Sequence, residues 1–393
     1  MRQVYLDNSS ATTLHPVVVE FMTSLLKEGL ANPSSLHGPG RRAKEVLEEA
    51  RGRVAGLIGS KPGEIVFTSS GTEANNLAMK GMAMAYKDKG RHIITSQIEH
   101  FSVLNPLTRL EKMGFKVTKV PVDSDGLIDP ADVEKAITPE TIFASIMLAS
   151  GEVGTIEPIK DIASVLKKKK VYLHTDAVAA AGNVPVSVNE LGVDALSMSA
   201  NQFYGPSGAG ALFVREGVRV RPQIDGGVQE GGKRAGTEDI VAVAGMGKAA
   251  ELAVKEMGER AKKLRALRDA LRDKLTENMD YIHLTGHPTK RLPGSLSLCV
   301  EFVEGESMLL FLDMQGVAVT SGSACTSRAL KASHVLLAMG VDVAVAQGSL
   351  HLSLGLNTAE DDVDYVAEVM PTIVERLRQM SPLYDKVKKG VKA

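Results

Sequence analysis

Residues 64–79 read "EIVFTSSGTEANNLAM". The β-branched and aromatic run Ile65-Val66-Phe67 stops at two serines and a glycine, and beyond Gly71 the apolar spacing changes from strand-like to helical. A strand that feeds directly into a helix is the building unit of a parallel sheet covered by helices. Comparable apolar runs recur in "RHIITSQ", "KVTKVPV", "TIFASIML", "VYLHTDA" and "ALSMSA", separated by helix-like stretches such as "DIASVLKKKK". The chain is therefore expected to be α/β, with a mostly parallel sheet flanked by helices.

At 393 residues the chain exceeds what one small core needs, and a large domain plus a smaller one is expected. We place the large domain at residues 16–253 and a small α+β domain at 1–15 with 254–393, entered through a long charged helix over about 254–278. The small domain continues with "SLSLCVEF", "GESMLLFLDMQG", "VAVTSG" and "GSLHLSLG". The lysines at 167–170 suit the solvated C-terminal end of a helix. The Gly-rich loop "PQIDGGVQEGGKRAGTEDI" is long enough to suggest a functional role.

Forty-six basic residues against 47 acidic ones leave a net charge of −1, which gives no footprint for nucleic acid or an anionic membrane. No run approaches the roughly 18 apolar residues of a spanning helix, and the N-terminus lacks a secretory apolar segment, so a cytoplasmic protein is expected. Two cysteines fit a reducing compartment. Cys299 sits in a strand-like alternation and reads as a buried small hydrophobe, whereas Cys325 lies among small, flexible residues in "TSGSACTSRA".

Four polar positions share one predicted location. Gly71 and Thr72 open a helix, where free N–H groups and the dipole favour an anion such as phosphate, although Ser70 or Thr72 could simply cap the helix with Glu73 in its first turn. Asp176 ends an apolar strand, His100 follows another, and Ser199 ends a third. All fall just after strands, on the edge where an open α/β sheet binds its ligand.

The order and wording of these segments resemble the cysteine desulfurase family, pyridoxal-phosphate proteins of the class V aminotransferase group. The resemblance runs through "YLDNSSATT", "NPSSLHGPGR", "VFTSSGTEANNLA", "EHFSVL", "GEVGTIEPI", "HTDAVAAAG", "LGVDALSMSANQFYGPSGAGAL", "GGVQEGGKRAGTE", "RLPGSLS", "EGESMLLFLDMQGVAVTSGSACTS" and "ASHVLLAMG". It implies the fold-type I transferase fold of pyridoxal-phosphate enzymes and a homodimer. It gives Gly71, Thr72 and Ser199 to the cofactor phosphate, with Thr237 reaching in from the second subunit. His100 would stack on the pyridine ring and share proton transfers, and Asp176 would pair with the ring nitrogen. Cys325 matches the nucleophile that takes sulfur from L-cysteine as a persulfide and passes it to an iron–sulfur scaffold protein.

The departures cluster around the same cofactor. The family's loop Ser-x-His-Lys-x-x-Gly-Pro here reads Ser199-Ala200-Asn201-Gln202-Phe203-Tyr204-Gly205-Pro206. Gln202 stands where the covalent anchoring lysine is expected, and its amide is neither basic nor nucleophilic. Asn201 replaces a phosphate-contacting His but keeps hydrogen-bonding capacity. Ala179 stands for a Gln, Ser150-Gly151 for Asn-Asn, and His351 for the Arg that clamps the substrate carboxylate. The resemblance thus implies noncovalent pyridoxal phosphate held by Thr72, Ser199, Asn201 and Asp176, with His351 left in the substrate-binding position and desulfurase activity weakened or altered. Two alternatives stand beside it. One is a non-catalytic dimeric docking protein whose Cys325 takes sulfide-derived sulfur or ligates a nascent cluster, with no other metal site; the other is a different carbon–sulfur lyase or aminotransferase.

Overall fold

The computed structural model describes residues 2–321, 332–382 and 384–385. A short strand β1 (Val4–Tyr5) and helices α1 (Pro16–Glu28) and α2 (Gly38–Ile58) precede the main sheet. The sheet is built from β2 (Ile65–Thr68), β3 (His92–Ser96), β4 (Lys116–Val120), β5 (Thr141–Ser145), β6 (Tyr172–Asp176), β7 (Ala195–Ser199) and β8 (Gly210–Val214). Between them run α3 (Gly71–Tyr86), α4 (Phe101–Glu111), α5 (Pro130–Ala136), α6 (Ile159–Lys168) and the short α7 (Val188–Leu191).

Across the sheet the order is β2-β8-β7-β6-β5-β3-β4, parallel from β4 to β7, with β8 antiparallel to both its neighbours. The inner strands are buried at nearly every position, because helices cover both faces. The edge strand β4 is instead mostly exposed and carries Lys116 and Lys119, charges that discourage pairing with a foreign strand. Two antiparallel reversals in succession turn β2 the same way as β7, so the carboxyl ends of β2, β3, β6 and β7 meet at one edge.

Polar contacts stitch the strands internally. His174, fully buried in β6, meets Ser145 Oγ at 2.9 Å and Ser197 Oγ at 2.9 Å, linking β5, β6 and β7; burial pushes its pKa down to about 3, so it is neutral. Glu99 pins the loop after β3 to the end of β5, its Oε1 accepting from Ser96 Oγ at 2.7 Å and Met147 N at 3.0 Å. Burial pushes the Glu99 carboxyl up to about 8.

A 39-residue helix, α8 (Ile240–Asn278), begins at an Asp239 cap and passes without a break through the expected division at 253/254. Its first turns are apolar and small rather than charged, because they pack against α2: a Cβ on Gly247 would lie 2.6 Å from the Ala50 Cα. Beyond it come β9 (Ile282–Thr285), β10 (Ser295–Val300), α9 (Gly305–Met314), β11 (Val317–Ala318), the short α10 (His334–Ala338) and α11 (Val343–Ala346), β12 (Ser349–Ser353) and α12 (Glu360–Gln379). A second sheet, β12-β10-β9, is antiparallel, and β1 pairs in parallel with β11. Val4 and Leu6 thereby join the core formed by Leu264, Leu271, Leu298, Leu312 and Leu352. Cys299 is wholly buried, as its alternation suggested. Among the described residues no helix is long and apolar enough to cross a membrane.

The long Gly-rich loop is tied down by one buried ion pair. Glu230 takes two 2.8 Å bonds from the Arg51 guanidinium of α2 and a 2.7 Å bond from Phe67 N of β2. Glu230→Ala removes the buried partner of Arg51, leaving it only the half-exposed Glu48 at 3.1 Å, and strips the acceptor from Phe67 N, so it should cost about 3 kcal/mol in chemical denaturation; a loss below about 1 kcal/mol would show that the pair is dispensable. Glu99 gives a pH signature. In the unfolded chain it ionises near 4.5 and in the fold only near 8, so its contribution is fully favourable below pH 4.5 and declines as pH rises to about 8. Glu99→Gln should therefore reduce the fall in melting temperature between pH 5.5 and 8.5, with Glu157 and Glu152, also pushed up by burial, sustaining the remainder; parallel curves for the two proteins would contradict this assignment.

Candidate active site

The edge where β2, β3, β6 and β7 end gathers most of the expected residues. At the start of α3, Ser70 caps the helix by accepting from Glu73 N at 3.1 Å. Glu73 folds back to accept from Ser69 N and Oγ and is held by Arg234 Nε at 3.0 Å. Burial pushes the Glu73 carboxyl up, but the Arg234 and Ser69 bonds outweigh it and hold it below its usual range. The amides of Gly71 and Thr72 and the Thr72 hydroxyl donate to no group among the described residues, which leaves a helix N-terminus equipped for an anion. The missing side chain of Gly71 is what permits the close approach: a Cβ there would sit 2.5 Å from Val178 Cγ2 and 3.3 Å from Ser199 Cβ.

Asp176 ends β6 with its side chain buried. Oδ1 accepts from Val178 N at 2.9 Å and Oδ2 from Asn75 Nδ2 at 2.6 Å. Burial raises its pKa, with the Val178 amide and Asn75 bonds pulling in the opposite direction. Asn75 Nδ2 also reaches Ser102 Oγ at 2.8 Å, and Ser102 Oγ lies 2.7 Å from His100 Nδ1. His100 Nδ1 additionally accepts from Ser102 N, so it is the unprotonated nitrogen and Nε2 carries the hydrogen of the neutral ring. The exposed His100 ring and the Asp176 carboxylate are therefore ends of one relay. Asn75 and Ser102 were not singled out from sequence; Asn75, one turn after Gly71, offers a helical spacing as the available signal.

Ser199 is buried and donates to Asn201 Oδ1 at 2.6 Å. Gln202, buried on the 3-10 turn that follows β7, does not present its amide as a free group: Nε2 donates to Ser9 O at 2.9 Å and Ser10 O at 3.3 Å. The N-terminal segment is thus held by Gln202, and further by Thr12 donating to Asn201 O. Thr237 is exposed on the loop before α8. Cys325 lies outside the described residues.

His351 faces the expected region, yet its chemistry differs from a clamp. It is buried in β12, its Nε2 lies 2.9 Å from Ser295 Oγ and its Nδ1 3.2 Å from Ser9 Oγ. Burial, with the nearby Arg291 cation, pushes its pKa down to about 3. A neutral ring with both nitrogens engaged cannot supply the charge of the arginine it replaces.

A narrow cleft of about 60 Å³, partly open to solvent, begins where Gln202, Ala179 and Gly151 stand and is closed by Ser295, His351, Leu292 and Arg260. Ser150 turns its hydroxyl inward to accept from Glu152 N and Val153 N, so no amide side chain projects from this turn. The residues present fit pyridoxal phosphate in two respects: free donors at the start of α3 for its phosphate, and a buried acid for its ring nitrogen. They do not fit a covalent anchor, since no lysine lines the cleft among the described residues.

The aminotransferase class-V family matches residues 4–366. The chain is 48% identical to cysteine desulfurase IscS of Dictyoglomus turgidum over 97% of each chain. It is 47% identical to cysteine desulfurase IscS of Methanosarcina thermophila over 98% of this chain and 95% of that one. A solved NifS-like protein superposes with a TM-score of 0.90 at 38% identity, covering 95% of this chain and all of the other. The chain belongs to the class-V aminotransferase family, on its cysteine desulfurase branch.

Proposed function

We propose that this protein binds pyridoxal phosphate noncovalently and moves sulfur from L-cysteine to Cys325, for delivery to an iron–sulfur scaffold protein, at a rate reduced by the absent lysine. The observation that carries the reading is the relay Asp176–Asn75–Ser102–His100 beside the free amides of Gly71 and Thr72. An intact relay of this kind at the edge of a ligand-binding sheet has a use only if something with a protonatable nitrogen and an anionic group lies against it. Gly71, Thr72, Ser199 and Asn201 would hold the phosphate, Asp176 the ring nitrogen and His100 the ring face, with Thr237 contributing from a second copy of the chain. When bound, pyridoxal phosphate supplies an electron sink for the bonding pair released at the substrate α-carbon.

The protein groups do the remaining work. Asn75 fixes Asp176 as an acceptor, and Ser102 fixes His100 with Nε2 as the exchangeable proton site. In the overall transfer the carbon–sulfur bond of L-cysteine breaks and a sulfur–sulfur bond forms on Cys325; of the two thiol protons one ends in the new carbon–hydrogen bond of L-alanine and the other on the persulfide. Removing a lysine that acts within a catalytic unit commonly costs orders of magnitude in rate, which supports slow turnover.

Asp176→Asn keeps the shape but removes the charge, and should weaken pyridoxal phosphate binding by about tenfold or more in an absorbance titration; unchanged affinity would remove Asp176 from the cofactor site. L-Alanine formation from L-cysteine by the protein supplied with pyridoxal phosphate should exceed that of Cys325→Ala. Equal alanine from both, at the level of free cofactor, with the cofactor bound, would transfer the case to the docking and sulfur-relay reading.

A further inference from the structure

Four of the positions at which this chain departs from the cysteine desulfurase pattern, Gly151, Ala179, Gln202 and His351, line one cleft. Each change removes a charge or shortens a side chain, so together they hollow the cleft and strip its expected cations. The lining among the described residues contains no Asp, Glu or Lys, and one arginine, Arg260.

Arg260 comes from the middle of α8, outside the segments that carry the resemblance. Its side chain is 7% exposed. One guanidinium nitrogen, Nη2, donates to Gly182 O at 2.6 Å, and the group lies over the Tyr204 ring at 4.8 Å. The nearest carboxylate, Glu256, stands 3.7 Å from Nη1 and is itself 36% exposed, so it offsets a buried charge only in part. Arg291, outside the lining, is buried with its Nε unpaired and donates to two carbonyls, Val153 O and Thr285 O. Leu264, Leu292, Pro293 and Leu354 supply apolar surface to the cleft beside Arg260.

We propose that Arg260 is the carboxylate-binding residue of this cleft and that the ligand is a small amino acid, the clamp having moved from β12 to α8. The inference rests on the reading of the protein as acting on L-cysteine, and it names the group that would orient that substrate. An arginine with one nitrogen anchored on a carbonyl and its ring-stacked plane fixed is preorganised for a carboxylate, because little side-chain freedom remains to be lost. Thr12 and the neutral Ser9–His351–Ser295 chain line the wall around it without competing charge.

The test uses propionate and L-alanine as probes, with ethylamine as the probe lacking a carboxylate, in calorimetric titrations of the full chain with pyridoxal phosphate present and absent. Propionate and L-alanine should bind and ethylamine should not. Arg260→Gln should weaken propionate at least about tenfold, and Arg260→Lys less. Glu256→Gln, which removes the partly competing carboxylate from an exposed position, should tighten propionate about twofold; this arm holds even if Arg260→Gln does not fold. Propionate affinity within twofold of wild type in Arg260→Gln, no propionate binding by the wild type, or an unchanged affinity in Glu256→Gln would each overturn the inference. Arg260-dependent propionate binding without alanine formation from L-cysteine would leave the inference standing and sink the desulfurase reading; the converse would sink the inference alone.

Discussion

The structure of the site depends on one buried carboxylate and the donors gathered around it. Asp176 lies at the end of a strand whose flanks are covered, where desolvation alone would favour the neutral acid. Two N–H donors oppose that tendency, and the donor from Asn75 extends the network outward through Ser102. The geometry needs α3 to approach β6 and β7 closely, and that is why residue 71 has no side chain and why residue 210 has none either: a Cβ on Gly210 would lie 2.4 Å from the Ser70 carbonyl carbon. Helix, sheet edge and relay are consequences of the same close packing.

Beside this electrostatic arrangement, the positions that depart from the family pattern follow a common logic. Gln202 and His351 are not idle remnants; each has been absorbed into neutral hydrogen bonding that ties the N-terminal segment to the body of the protein. A buried lysine or arginine at either place would need a counter-charge, whereas an amide or neutral imidazole is satisfied by carbonyls and hydroxyls. The same changes enlarge the cleft and leave Arg260 as its cation. Under the proposed function, ring-nitrogen recognition by Asp176 is separated from covalent anchoring of the cofactor.

Much of this was legible in the sequence. The strand-to-helix alternation announced the parallel sheet, and the positions of Gly71, Thr72, His100, Asp176 and Ser199 after strands placed them at one edge, because strand direction fixes where carboxyl ends lie. The start of α8 was not legible, since residues 240–253 are small and apolar and carry no helical polar face. Asn75 and Ser102 are not legible in the sequence because a relay depends on side chains from α3 and α4 meeting across space. His351 was expected near a substrate carboxylate; its isolation from charge follows from Ser9 and Ser295, which lie 342 and 56 residues away in the chain.

Noncovalent retention of pyridoxal phosphate is decided by intact-mass spectrometry after borohydride treatment of the cofactor-saturated protein. Bound cofactor should be visible by absorbance before treatment, and the chain mass should be unmodified after it. A stoichiometric pyridoxyl adduct on any lysine would overturn noncovalent binding.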